Sequence, residues 1–442
     1  MQPPTQYLSR VENLMDPRAN VLLNMDYDEA AARVASGDAK AVRGIEGQFA
    51  IAAVDGRRVR MARSIGRPMR YFLAKQAAGP LLIIAERIDA IRDVLEPLGY
   101  ADQFHPAYTR MVPAHYVTEI ELVGCPDPNP RYERFFNPQR NTLPPDIEPI
   151  GREYIGALLA ACEAYLDRID PLEPIGVLFS GGIDSGAVLL ALEHLIRRRG
   201  QSPARLKAFT LRVDGQSSDA DQADAFLKAC NLSMLWEVID VAAEDIDWRA
   251  AVAVLEDYKP LDVQSGAMTL AVCRKVRELY PDWRHLIDGD GGDENLKDYP
   301  IEENPELTIR SVLNNLMLYQ EGWGVEAIKH SLTYSGGQSR GHVRTWAPAA
   351  TLGFEGFSPF SLPSVIEVAE GIPFIELTDW DHRTLYSLKG AVVRAGIQHW
   401  CGVDMPVFEK RRFQHGAAPA SGRGLFPEAE RDYRAAFASI WA

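Results

Sequence analysis

One ten-residue segment, Val177–Gly186, constrains the fold of this chain more than any other. It reads V-L-F-S-G-G-I-D-S-G, an apolar β-prone run that stops at a hydroxyl, two glycines, an aspartate and a second hydroxyl. A helical pattern over residues 187–196 follows. A strand, a tight loop and a helix N-terminus in this order predict an anion site, because glycines let backbone N–H groups approach an anion and the first helical N–H groups have no partner within the helix.

The side chains of this loop indicate which kind of anion it would bind. Ser180 and Ser185 can add hydroxyl donors beside Gly181 and Gly182, whereas Asp184 would repel a phosphate unless a cation such as Mg²⁺ bridged them. The spacing excludes a Walker P-loop and a G-x-G-x-x-G dinucleotide fingerprint. The alternative to an anion site is an ordinary Ser/Gly-rich turn whose aspartate lies near the dipole of the following helix. The S-G-G-x-D-S string resembles the pyrophosphate loop of the N-type ATP pyrophosphatases.

A second acidic loop, Asp288–Glu294, reads D-G-D-G-G-D-E and follows another apolar strand some hundred residues later. Loops at the carboxyl ends of parallel strands converge on one crevice. Asp184 and Asp293 are therefore predicted to meet and to hold Mg²⁺ against a triphosphate, since Mg²⁺ prefers one or two carboxylates plus phosphate oxygens and water. Calcium binding is the alternative interpretation, although the twelve-residue EF-hand pattern is incomplete.

The chain of 442 residues is too long for one ordinary core and predicts two domains. A proline-bearing connector spans 137–150. Before it, short β-prone segments between turn residues predict an antiparallel sheet domain over 1–145. After it, strands alternate with helices, which predicts an α/β fold over 146–442: a doubly wound parallel sheet with helices on both faces and a mostly helical part after residue 304.

Composition excludes several classes of partner and site. A formal net charge of −14 argues against a nucleic-acid partner, and no apolar run is long enough for a membrane-spanning helix. Five scattered cysteines without a C-x-x-C pair support neither a zinc site nor a disulfide framework. The N-terminus shows no secretory signal, so we expect a cytoplasmic protein.

Two further segments complete a recognisable series. Residues 353–360 read G-F-E-G-F-S-P-F and are similar to the G-V-E-A-R-x-P-F-L-D segment of asparagine synthetases. Residues 409–416 read E-K-R-R-F-Q-H-G and are similar to their K-E-Q-F-S-D-G segment. With the two loops, four landmarks occur in family order. Over most of residues 40–420 the chain resembles the asparagine synthetase and β-lactam synthetase group of ATP-dependent amide-forming enzymes.

The resemblance implies ATP and Mg²⁺ as cofactors and assigns their contacts. The family positions that contact pyrophosphate match Ser180, Gly181, Gly182, Asp184 and Ser185. The family positions around adenosine match Leu178, Leu211 and Gly289. The metal positions match Asp184 and Asp293, and Lys389 matches a further phosphate-contacting lysine.

The resemblance also implies three catalytic roles. Glu355 matches a glutamate near the acyl-adenylate that can accept a proton from the attacking amine. Lys410 matches the lysine that stabilises charge during adenylation and amide formation. Asp290 stands where asparagine synthetases have glutamate and β-lactam synthetases have a tyrosine. The residue type is therefore closer to the first group, which argues against ring closure by the β-lactam dyad.

The first domain resembles the later part of a class II glutaminase domain through residues 44–50, 66–71 and 112–116. A working glutaminase needs a cysteine directly after the initiator methionine, where this chain has Gln2. We therefore expect no hydrolysis of glutamine. Free ammonia, a separate amine and ammonia from a partner protein all stay open as nitrogen sources.

The predicted function is ATP-dependent adenylation of a small carboxylic acid, release of pyrophosphate, and transfer of the acyl group to ammonia or a small amine. The alternatives are an intramolecular lactam-forming cyclase and a catalytically silent partner subunit. An RNA-modifying pyrophosphatase is disfavoured by the net charge. A homodimer is one option for the assembly.

Overall fold

The computed structural model describes residues 9–123, 129–298, 301, 308–314, 339–408 and 424–441, with the side chains of 339–343 left out. The described residues form two compact units, one within residues 1–137 and the other mainly within residues 138–440. The division falls between Asn137 and Pro138, at the start of the proline-bearing segment. Among the described residues, none of the helices is long and apolar enough to cross a membrane.

The first unit contains ten strands and three α-helices among its described residues. The strands are β1 Arg10–Asn13, β2 Val21–Leu22, β3 Gly47–Gln48, β4 Ala50–Asp55, β5 Arg58–Arg63, β6 Arg70–Gln76, β7 Gly79–Ala85, β8 Arg110–Met111, β9 Tyr116–Glu121 and β10 Arg131–Arg134. The helices are α1 Tyr27–Ser36, α2 Ala39–Arg43 and α3 Ile88–Leu95. Two four-stranded sheets have the orders β1-β7-β6-β8 and β10-β9-β5-β4, and all their pairings are antiparallel except that of β1 with β7.

The core of the first unit follows from alternation along its strands. Met61 of β5, Tyr71 of β6 and Ile84 of β7 share one buried cluster between the two sheets. The neighbouring residues of β6 and β7 point the other way, into a second cluster closed by Ile91 and Leu95 of α3. The helix α1 lies against β4 and β5. The unit is thus a helix–sheet–sheet–helix stack.

The second unit is built on a five-stranded, wholly parallel sheet with the order β13-β12-β11-β14-β15. Its strands are β11 Ile175–Leu178, β12 Leu206–Val213, β13 Trp236–Val241, β14 His285–Ile287 and β15 Glu355–Phe357. The sequence pattern predicts strands at Val177–Phe179, Leu206–Val213, Leu235–Ile239 and His285–Ile287, and the first four strands of the sheet match them closely. The fifth, β15, was not predicted, because a three-residue edge strand carries too short a pattern to be read from sequence.

Twelve α-helices of the second unit are described. They are α4 Ile147–Leu166, α5 Ile183–Arg198, α6 Ser218–Ala229, α7 Trp248–Leu255, α8 Pro260–Leu279, α9 Gly292–Asn295, α10 Ile309–Asn314, α11 Ser339–Thr351, α12 Pro363–Glu370, α13 Phe374–Thr378, α14 His382–Cys401 and α15 Glu430–Ile440. The sequence pattern predicts a helix over Glu153–Leu166, and α4 begins six residues before it. Pro149 is tolerated in the first turn of α4, where its missing N–H has no helical partner to lose.

The crossovers place helices on both faces of the sheet. The chain runs from β11 through α5 to β12 and from β12 through α6 to β13, whereas α7 and α8 lead back past β11 to β14. Because crossovers between parallel strands are right-handed as a rule, the return in the opposite direction puts α8 on the opposite face from α5 and α6. Phe209 of β12 packs against Trp283, just after α8, while Phe179 packs against Phe226 of α6. The predicted α/β class, with an antiparallel first part, a parallel sheet and a largely helical remainder, is confirmed.

Candidate active site

The strand order creates a crevice at the edge where β11 and β14 end. The chain leaves β11 for β12 on one side and later returns to β14 on the other side, so the loops after β11 and β14 diverge. In open parallel sheets, ligands bind at such a switch point. The loop after β11, residues 179–182, and the loop after β14, residues 288–291, are the two acidic, glycine-rich motifs of the sequence.

The first loop is folded around its two serines. The Ser180 hydroxyl lies 3.4 Å from the Ser185 hydroxyl and accepts the Gly182 N–H at 3.3 Å. Gly182 is the N-cap of α5 and gives no side-chain cap, so the first-turn N–H groups of this 16-residue helix are left for another acceptor. Gly181 has φ of 74°, and a Cβ there would stand 2.7 Å from the Ala223 backbone. The loop therefore has the geometry of an anion cradle.

The second loop passes so close to the start of α5 that only glycine fits. A Cβ on Gly289 would lie 2.8 Å from the Ser185 nitrogen, and one on Gly292 would lie 2.2 Å from Asp184 Oδ1. Contacts this short are far inside van der Waals distance. The two motifs are therefore in direct contact, and Gly292 is the residue that allows the Asp184 carboxylate its position.

We expect Gly292→Ala to displace Asp184 and to reduce ATP-dependent activity by at least about tenfold, because misplacement of a positioning group by 1 Å is enough to cost this much. Nucleotide binding measured by calorimetry and pyrophosphate release should fall together. The control is Gly356→Ala, whose Cβ would meet only ordinary contacts, the nearest at 3.7 Å. Equal activity in both variants would contradict the assigned contact.

The two predicted metal aspartates meet on one ammonium group. Lys389 Nζ, on α14, lies 2.6 Å from Asp184 Oδ2, forms a hydrogen bond to Asp293 Oδ1 and lies 3.5 Å from Asp298 Oδ2. The lysine side chain is buried. Burial by itself lowers the pKa of Lys389, but the surrounding carboxylates, Asp184 first, outweigh it and raise the pKa well above its usual range. The ammonium is therefore charged at neutral pH.

The second loop carries two more carboxyl groups: that of Asp288 is buried and that of Asp290 is half-buried. The Asp290 N–H donates to Asp288 Oδ1 at 2.9 Å. Burial raises the pKa of Asp288 to about 7, and burial together with the Asp288 carboxylate raises that of Asp290 well above its usual range. Arg344 of α11 opposes the effect on Asp290 and forms an ion pair with Asp262 at 3.3 Å.

The predicted adenosine positions lie at the same edge. Leu178 is the last residue of β11 and is paired in register with Phe209 of β12, so Leu211 lies level with the start of the first loop. Gly289 follows β14 directly. The predicted ATP-contacting residues of the strands and loops therefore lie toward one edge of the sheet, where Lys389 joins Asp184 and Asp293.

Glu355 is not brought to this edge. It is the first residue of β15 and is paired with His285, the first residue of β14, whereas the acidic loop follows the last residue of that strand. Parallel strands place their first residues at the opposite edge of the sheet, roughly 10 Å away over three residues. The expected place of Glu355 beside the acyl group therefore has no support in the observed register. A segment similarity cannot reveal at which end of a strand its glutamate lies.

Glu355 instead belongs to a network of charged and polar side chains at the amino ends of the strands. It accepts a hydrogen bond from the Tyr165 hydroxyl at 3.3 Å and lies 3.4 Å from Arg168 and 3.5 Å from Arg284. Burial by itself raises the pKa of Glu355, but His285 and the two arginines outweigh it and lower the pKa to about 2. This carboxylate is ionised at neutral pH and stabilises the start of β15.

We expect Glu355→Gln to lower Tm by a few degrees at neutral pH, as loss of a partly buried charged hydrogen-bond network does in a domain of this size. Because the folded pKa of Glu355 is depressed, its contribution is present above its ordinary pKa near 4.5 and is lost as pH falls toward 2. Thermal unfolding across this pH range should show the variant and the wild type converging in acid.

The control is Glu278→Gln, which removes a 64 % exposed carboxylate paired with Lys275. Glu355→Gln should leave pyrophosphate release within a few-fold of wild type. Selective loss of amide formation with adenylation intact would instead assign Glu355 to the reaction.

The predicted catalytic residue Lys410 and its segment, residues 409–416, lie outside the described residues. The sequence analysis did not select three residues near the site: Asp288, Asp298 and Arg344. Asp298 follows the second loop closely, and its short spacing from Asp293 is the signal that could have pointed to it.

The site suits a magnesium ion that is shared with phosphate. Within the part of the chain that the structure describes, no group of three or more His, Cys, Asp or Glu side chains forms a metal site by itself. Asp184 and Asp293 both form hydrogen bonds to the Lys389 ammonium. Their carboxylates are therefore close enough together to bind a metal ion as well. Two carboxylates, phosphate oxygens and water complete the coordination that Mg²⁺ prefers.

Fold and site define a doubly wound α/β domain with a loop shaped like an anion cradle at its switch point. Residues 163–348 match the family model described as Asparagine synthase. This match covers less than half of the chain and supports an assignment to the asparagine synthetase family, whose members are in general ATP-dependent, amide-forming ligases that use Mg²⁺. The match includes both acidic loops and ends before Glu355 and Lys389. No curated protein matches the chain.

Proposed function

We propose that this protein is an AMP-forming carbon–nitrogen ligase that adenylates a small carboxylic acid, releases pyrophosphate, and passes the acyl group to ammonia or a small amine. The observation that carries the proposal is the meeting of Asp184 and Asp293 on Lys389 Nζ at the switch point. A phosphate cradle alone would suit many nucleotide-binding proteins. The cradle with a second acidic loop against it suits a metal-bound triphosphate whose β-phosphate must be held as a leaving group.

The first loop and α5 are proposed to hold the pyrophosphate part of ATP. The free first-turn N–H groups of α5 and the hydroxyls of Ser180 and Ser185 donate to phosphate oxygens. Mg²⁺ held by Asp184 and Asp293 would neutralise phosphate charge. Lys389 adds a fixed positive charge, and Leu178 with Leu211 supplies apolar surface for the adenosine.

For the amide-forming step, Asp290 is the proposed carboxylate that accepts a proton from the amine. It lies in the second loop, at the edge where the acyl group must be activated, with Arg344 beside it. Lys410 keeps its proposed role as the cation for the developing oxyanion. Glu355 has no role in the proposed reaction, since it lies at the other edge of the sheet.

Ammonia or a small amine is the proposed nitrogen donor, either free or supplied by a partner protein. An intramolecular lactam-forming cyclase is the second candidate. The residue at position 290 favours the first, because Asp290 is closer in type to the glutamate that asparagine synthetases have there than to the tyrosine of β-lactam synthetases.

The test is release of pyrophosphate and AMP from ATP with a panel of small carboxylic acids, each with ammonium, simple amines, glutamine or no nitrogen source. Acid-dependent AMP and pyrophosphate with amide only when ammonium or an amine is added would support the ligase. Product formation without any added nitrogen source would favour the cyclase. Formation of ADP and phosphate would refute an AMP-forming ligase. Absence of turnover under every condition would also refute it and would favour a silent partner subunit. Glutamate from glutamine would refute the proposed donor.

A further inference from the structure

Lys389 has a third carboxylate partner to which the proposed reaction gives no role. Besides Asp184 and Asp293, Asp298 Oδ2 lies 3.5 Å from its Nζ. A lysine ammonium has three N–H donors and no acceptor. Two of these donors form hydrogen bonds to Asp184 and Asp293, and Asp298 is the third carboxylate within ion-pair distance of the ammonium.

The three aspartates differ in their access to the crevice. The side chain of Asp293 is 40 % exposed and that of Asp184 is 19 % exposed, whereas that of Asp298 is 9 % exposed and that of Lys389 is 2 % exposed. The two more exposed carboxylates are those proposed to bind Mg²⁺. Asp298 is on the protein side of the ammonium and is the least able of the three to turn toward a ligand.

Asp298 is also fixed by its backbone and its neighbour. Its N–H donates to the Asp293 carbonyl at 2.9 Å, so both aspartates belong to one turn. The preceding residue, Lys297, adopts φ of 57° and is buried, with Nζ 3.3 Å from Glu370 Oε1. Glu370 in turn lies 3.5 Å from Arg140. These ion pairs anchor the turn that carries Asp298.

We propose that Asp298 is a positioning residue that retains the Lys389 ammonium at the phosphate site when Mg²⁺ and ATP take up Asp184 and Asp293. The inference rests on the proposed function. Two donors of Lys389 then turn from the aspartates to phosphate oxygens, and the third stays on Asp298. Without Asp298, Lys389 would have only the two metal-binding carboxylates as partners in the free enzyme and would compete with Mg²⁺ for both.

The experiment is a double-mutant cycle with Asp298→Asn, Lys389→Met and the double variant, read by calorimetric binding of Mg²⁺-ATP. We expect Asp298→Asn to weaken binding about tenfold, equivalent to ~1.4 kcal/mol. In the Lys389→Met background the same change should have an effect of less than about twofold, because the residue acts through the lysine. Asp298→Glu should restore part of the affinity.

The matched control is Asp404→Asn, which removes a 67 % exposed carboxylate from its ion pair with Arg394 and should bind as wild type. Wild-type affinity in Asp298→Asn, or an equal loss with and without Lys389, would overturn the proposal. A positioning role also predicts that Asp298→Asn raises KM for ATP while kcat at saturation stays within a few-fold, whereas a general folding defect would lower the active fraction and leave KM unchanged.

Unfolding of the ligand-free proteins separates this inference from the proposed function. The same cycle measured by thermal unfolding should show coupling between Asp298 and Lys389 without any nucleotide. Absence of that coupling would overturn the positioning role even if the enzyme proves to be a ligase. If the wild type binds no Mg²⁺-ATP, the proposed function fails, and the positioning role fails with it.

Discussion

Asp184→Asn is expected to lower pyrophosphate release by at least about 100-fold, the size of loss seen when a group that stabilises developing charge is removed. The substitution keeps the shape of the side chain and an oxygen that can accept from Lys389 Nζ, now 2.6 Å from Asp184 Oδ2. It removes one of the two negative charges available to Mg²⁺. The measurement is the rate of pyrophosphate release at several Mg²⁺ concentrations, and a rightward shift of the Mg²⁺ dependence is expected.

Asp224→Asn is the control for this prediction, because it removes a helix-surface carboxylate whose partner is the exposed Lys228. Both variants should unfold within a few degrees of wild type, so that a loss of activity reports on the site. Full activity of Asp184→Asn at low Mg²⁺ would show that this aspartate holds no metal in the reaction.

Lys389→Met should destabilise the second unit by about 3–5 kcal/mol, the typical cost of removing one partner from a buried ion pair. Methionine fills a similar volume, so the loss is mainly electrostatic. The buried or half-buried carboxylates of Asp184, Asp293 and Asp298 would then face one another without a cation. Urea denaturation followed by tryptophan fluorescence measures the change in the free energy of unfolding.

The pH dependence identifies the cause. The folded pKa of Lys389 is raised, so its contribution is fully present below the ordinary lysine pKa of 10.5 and is lost only as pH rises through the higher folded value. The deficit of Lys389→Met relative to the wild type should therefore be large at neutral pH and should shrink only as pH rises above 10.5. Lys228→Met, at a 67 % exposed lysine, should show neither effect. A deficit that stays constant with pH would indicate lost packing instead.

Much of the phosphate site was predictable because its signals are local. Val177–Gly186 specifies a strand, a loop and a helix by the order of apolar residues, glycines and hydroxyls, and β11 and α5 follow that order. The second loop has the same kind of signature. That Asp184 and Asp293 meet also followed from sequence, since a parallel sheet brings the ends of its strands to one edge.

Glu355 shows where local similarity stops being informative. Its segment resembles one in the family, but the position of a side chain along a short edge strand depends on register with the neighbouring strand. The pairing of Glu355 with His285 puts it among Tyr165, Arg168 and Arg284. Register is set by hydrogen bonding between segments about seventy residues apart, which no local pattern contains.

The sequence by itself determined the two-part α/β architecture, both glycine-rich loops and the approach of Asp184 and Asp293 to one site, because alternation, glycine placement and chain order are properties of local segments. Only the tertiary structure decided that Lys389 joins those aspartates, that Asp298 is its third partner, and that Glu355 lies at the far edge. The physical reason is that burial and ion pairing depend on distances between residues as far apart in the chain as Asp184 and Lys389, which exist only once α5 and α14 have packed.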